Sequence, residues 1–91
     1  MASVLDSFVQ RIEEACGKGG DFIAIIKHDR AGEFLEKALR AGEVLYSAPG
    51  IMARIRVRGK EVSVLRTGRV LVKGASNLKE VRAILEEIAG R

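Results

Sequence analysis

Residues 51–73 read IMARIRVRGKEVSVLRTGRVLVK, and the alternation in this stretch decides the fold. Ile51, Ala53, Ile55 and Val57 alternate with Met52, Arg54, Arg56 and Arg58, a period of two that gives a strand one dry face and one wet face. Gly59-Lys60 and Thr67-Gly68 are turn positions, so strands over 51–58, 62–66 and 69–73 are expected to follow one another as a meander. With Ile55, Val57, Val62, Val64, Val70 and Val72 facing a core, Arg54, Arg56, Arg58, Ser63, Leu65, Arg69, Leu71 and Lys73 share the opposite face.

Outward from the meander the period changes. Ala31, Phe34, Leu35, Ala38 and Leu39 line one side of a helix, with Asp29 placed to cap its first amides and Gly42 after its last turn. Phe22 to Ile26 is a short apolar run that reads as a buried strand. Leu5, Phe8, Val9, Ile12 and Ala15 recur at three-and-four spacing and predict an N-terminal helix stopped by Gly17, Gly19 and Gly20. At the other end, Asn77 and Glu80 stand in capping-box spacing at the start of a helix that carries Leu78, Val81, Ile84, Leu85 and Ile88 and ends at Gly90. The expected architecture is a single α+β domain over residues 1–91, with 1–20 an N-terminal helix and connector. A curved antiparallel sheet carries the helices on one face and leaves the other open.

At 91 residues the chain holds one domain, and a domain of this size buries only about two thirds of its unfolded surface, so pairing with a second copy would help it. One cysteine, Cys16, excludes an internal disulfide and a cysteine-based zinc site and points to a reducing cytoplasm; a small buried hydrophobe is its default role. No apolar stretch approaches the ~18 residues of a membrane span, and the N-terminus lacks a signal peptide's pattern, so no membrane role is expected. Asn and Gln are scarce beside Glu, Lys and Arg, a composition that suits a heat-adapted source.

No nucleophile, base or metal-ligand constellation is present, so no catalytic, cofactor-binding or metal-binding residues are expected and the chain is not read as an enzyme. His28-Asp29 reads as a surface histidine beside a helix cap. Gly17-Lys18-Gly19-Gly20 follows a helix, whereas a phosphate loop follows a strand, so it reads as a connector. Tyr46 suits core or edge packing at least as well as stacking on a base.

Charge is the informative signal. Residues 1–50 carry a net −2 and residues 75–91 are neutral, while residues 51–74 hold Arg54, Arg56, Arg58, Lys60, Arg66, Arg69 and Lys73 against Glu61 alone, a net +6. No acidic row within these strands is available to neutralise the arginines, and like charges two residues apart repel. Five of the seven cations are arginine, which suits planar, bidentate contact with phosphate. All seven are candidate nucleic-acid contacts, with Lys60 and Arg66 at turns. A solvated face that discourages aggregation is the plainer reading of the same row.

The string from Ala48 to Ala75 resembles one repeat of the TATA-box-binding protein family, through Pro49, Arg54-Ile55, Gly68 and Gly74-Ala75. The strand at Phe22 to Lys27 and the helix from Ala31 to Leu39 fall in the family's order. The resemblance implies a half-saddle over residues 21–91 whose sheet grips nucleic acid, DNA or RNA, with the N-terminal helix extra. It implies a phosphate contact for Arg54 and groove-facing positions for Leu71 and Lys73. The family's two wedging phenylalanines correspond to Ala48 and Leu65, and the asparagine of its first strand is missing, so kinking chemistry is not carried over. One repeat where the family has two implies a homodimer. The expected function is therefore a homodimeric, non-enzymatic nucleic-acid-binding module. The alternative is a structural adaptor docking on an acidic protein partner, as architecturally similar small dimeric subunits do in the archaeal KEOPS tRNA-modification complex.

Overall fold

The computed structural model describes residues 4–14 and 21–90. Six strands, β1 (Val9–Glu14), β2 (Asp21–Ile26), β3 (Glu43–Ala48), β4 (Met52–Val57), β5 (Lys60–Leu65) and β6 (Arg69–Lys73), form one sheet in the order β1-β2-β6-β5-β4-β3. Every neighbouring pair is antiparallel. Two helices, α1 (Ala31–Ala41) and α2 (Leu78–Ala89), complete an α+β fold.

The inward rows are as alternation requires: Ala53, Ile55 and Val57, Val62 and Val64, and Val70 and Val72 are all fully buried. Ala24 and Ile26 of β2 continue the layer. Over it lie Phe34, Leu35 and Ala38 from α1 and Val81, Ile84, Leu85 and Ile88 from α2, two amphipathic faces that meet each other as well as the sheet. Ile51 does not join this row; it precedes β4 and is 66% exposed.

The N-terminal helix expected over residues 5–15 is not formed. Val4–Ser7 is a single 3-10 turn, and Val9–Glu14 is the edge strand β1, paired with β2. The same apolar residues still reach the core. Leu5 and Phe8 are buried through the turn, and Val9 and Ile12 pack against the core from the strand, with the register shifting between Val9 and Arg11. Two periods thus produced one helix-like spacing, and the unpaired backbone edge of β2 decided between them. Phe8 packs on Phe34 with ring centroids 5.6 Å apart, and the Arg30 guanidinium lies over the Phe8 ring, 4.0 Å from its centroid. Cys16 and the expected glycine stop at residues 17–20 lie outside the described residues.

One local expectation at α1 also differs. Asp29 sits in the 3-10 turn His28–Arg30 and does not cap the helix; the N-cap position is Arg30, with no side-chain bond. Gly42 ends α1 in an extended conformation, and glycine is needed there because a Cβ would overlap the Arg56 carbonyl of β4. The cap of α2 follows the sequence closely. The Glu80 amide donates to Asn77 Oδ1 at 2.9 Å, and the Ser76 amide donates to Glu80 Oε1 at 2.6 Å.

Two substitutions test this packing by chemical denaturation. Asn77→Ala should cost about 1 kcal/mol through the lost cap. Phe8→Ala should cost about 3–5 kcal/mol, as for a core aromatic.

Candidate nucleic-acid interface

Among the described residues, helices cover one face of the sheet only, so side chains of the other parity form an open face. Registers across the strands arrange them in rows. The middle row runs Glu13, Ile23, Leu71, Ser63, Arg54, Tyr46 from β1 to β3. Beside it runs a row of alternating sign, Asp21, Lys73, Glu61, Arg56, Glu43. On the other side, toward the β5–β6 turn, Arg11 pairs in register with Ile25 and Ile25 with Arg69, while Leu65 pairs with Met52 and Met52 with Ala48. Ile23, Ile25, Leu65, Leu71 and Met52 are half-buried and form an apolar band inside the charges.

Of the seven cations expected to act together, four stand on this face: Arg54, Arg56, Arg69 and Lys73, all exposed. The other three are drawn elsewhere. Arg58 lies in the turn after β4 at φ 54°, and its Nε donates to Glu87 Oε1 of α2 at 3.0 Å, which carries the guanidinium toward the helical layer. Lys60 has the parity of Val62 and Val64, and its stem lies beside Gly74. Arg66 lies against the N-terminal turn of α1, where a Cβ on Gly32 would approach its Nε to 3.2 Å. The placement of Arg58 on the open face is therefore corrected, because a turn breaks the alternation that strand residues obey.

The expectation that no carboxylates neutralise the row is corrected too. Arg56 Nη1 meets Glu43 Oε1 at 3.1 Å, and Arg54 Nε lies 3.6 Å from Glu61 Oε1. Counting β1, β2 and β3, the described open face carries five cations and four carboxylates, a net +1. Three of the four acids, Glu13, Asp21 and Glu43, come from strands outside the 51–74 segment, so a count confined to that segment missed them. These pairs are half exposed, and exposed pairs contribute about 0–1 kcal/mol each, so an incoming phosphate exchanges with a carboxylate at little cost. Among the described residues, Arg69 and Lys73 have no carboxylate within 4 Å.

Arg11 is the cation that the sequence reading did not find. Its Nε donates to Glu13 Oε2 at 2.7 Å on the same strand. Arg11 and Glu13 share parity in β1, a signal visible only once this segment is read with a period of two.

The comparisons add no relative: no protein-family model matches the chain, and no curated protein or solved structure does either.

Arg58 supplies a test of its exclusion from the face. A non-glycine residue at positive φ is strained, whereas glycine is not. Arg58→Gly should leave stability unchanged or raise it by up to about 1 kcal/mol. It should change polynucleotide affinity less than Arg69→Ala does in the same titration.

Proposed function

We propose that the chain is a non-enzymatic nucleic-acid-binding module that grips the phosphate backbone with the open face of its sheet. The observation that carries this reading is a six-stranded face uncovered by helices, with an apolar band flanked by exposed Arg54, Arg56, Arg69 and Lys73. The contacts are electrostatic, with apolar side chains beneath to receive sugar and base surface. The order strand, helix, four strands, helix over residues 21–89 supports a half-domain resembling the TATA-box-binding protein, extended by β1 at the β2 edge. The mixed-sign row from Asp21 to Glu43 favours a second reading, an adaptor surface docking on a protein, since alternating charge suits a partner of alternating charge.

Salt dependence and charge removal separate the two. With about four phosphates engaged per chain, log affinity for duplex DNA or RNA should fall with log salt at a slope near −4. Glu61→Gln, which releases Arg54, should tighten binding about two- to fivefold at low salt, while Glu36→Gln on α1 does so far less. An adaptor would bind neither polymer at low salt.

We further propose that the module is a homodimer joined along β3. Val44, Leu45 and Tyr46 are consecutive in this edge strand and 44%, 37% and 56% exposed. The opposite edge, β1, is guarded by Arg11, Glu13 and Glu14. Two copies of β3 pairing antiparallel about a two-fold axis, Glu43 opposite Ala48, close the assembly and keep like charges apart. A β3-to-β1 contact would be heterologous and build a ring or a filament rather than a dimer. Both open faces then look the same way. Sedimentation of the protein without nucleic acid should show a dimer, and Leu45→Lys a folded monomer; a dimer that survives Leu45→Lys contradicts this interface.

A further inference from the structure

The open face is electrically lopsided. Its row at the β4–β5 turn end holds three carboxylates and two cations, whereas the end at the β5–β6 turn holds Arg11 and Arg69 with Glu13 as the nearest described acid partner. At that end lies a hollow lined by Arg11, Ile25, Leu65, Thr67, Gly68 and Arg69. Among the described residues, no carboxylate lines it. The hollows against α1 and on the outer side of α2 include Glu36 and Glu86 respectively, and the one between β1 and α2, which Arg11 and Arg82 line, lies off the open face.

We infer that this hollow is where a phosphodiester of the bound nucleic acid seats first. The inference rests on the nucleic-acid reading of the open face and names the part of that face which dominates. Arg11 and Arg69 flank Ile25 in register, two strand spacings apart, so their Cα atoms are about 10 Å from each other. Long guanidinium side chains at that separation bracket a phosphate and its neighbour. The Thr67 hydroxyl adds a neutral donor at the rim. Ile25 and Leu65 form an apolar floor for the intervening sugar.

The hollow is also held in shape. Gly68 adopts φ 102°, its amide donates to the Leu65 carbonyl at 3.0 Å, and its own carbonyl accepts from the Ile26 amide at 2.6 Å. A Cβ at Gly68 would stand 2.9 Å from the Ile26 carbonyl oxygen, so glycine is required for this clamp of the turn onto β2. Arg69 thus starts β6 from a fixed turn, which lowers the entropy lost on binding. The Arg11–Glu13 pair is more than half exposed on both sides and yields to a doubly bracketed phosphate.

The test is a fluorescence-anisotropy titration of the full chain and its variants with a labelled short duplex, as DNA and as RNA, at two salt concentrations. Arg69→Ala should weaken binding about tenfold and lower the salt slope by about one. Glu13→Gln, which frees Arg11, should tighten it about two- to fivefold. Arg56→Ala, at the opposite end and already held by Glu43, should weaken it about two- to threefold, clearly less than Arg69→Ala. Circular dichroism of each variant checks folding, and all three side chains are exposed. Wild-type binding with equal losses for Arg69→Ala and Arg56→Ala, or with no gain for Glu13→Gln, overturns the hollow and leaves the open face standing. Absence of wild-type binding to either duplex overturns the nucleic-acid reading itself.

Discussion

The structure depends on one asymmetry of coverage: a six-stranded sheet has two faces, and the described residues supply helices for only one. Valine, isoleucine and alanine at alternate positions of β4, β5 and β6 are driven against α1 and α2 by the removal of apolar surface from water. Period two then leaves no freedom to the intervening residues, which must stand together on the uncovered side. What that side carries follows from the packing of the other.

That side is neither a conventional solvated face nor a uniformly cationic one. Its centre holds half-buried Ile23, Ile25, Leu65 and Leu71, and its charges are arranged by strand pairing into an alternating row and a basic end. Exposed ion pairs such as Arg56–Glu43 contribute little to stability, but they hold side chains in place and reduce the net charge seen at long range. Recognition on such a surface depends on where charges stand more than on how many there are.

Much of this was legible in the sequence, and the misses have physical causes. The strands over residues 52–73 and both α-helices were readable because alternation and three-and-four spacing are direct signatures of burial. The N-terminal segment misled because a 3-10 turn followed by a bulged strand placed Leu5, Phe8, Val9 and Ile12 at helical spacing. The charge of the open face was misjudged for a related reason. Glu13, Asp21 and Glu43 are remote in sequence from Arg54 and Arg56, and sheet order, invisible to a local window, brings them to the same face. Arg58 left the face because the turn after β4 directs its side chain to Glu87 of α2.

The central claim is that ligand meets the uncovered side of the sheet. Amide chemical-shift mapping during titration with a short nucleic-acid duplex tests it most directly. The account predicts the largest changes at Ile25, Leu65 through Arg69, and Leu71, with α1 and α2 unmoved. Perturbations concentrated on the helices, with β5 and β6 silent, would contradict it.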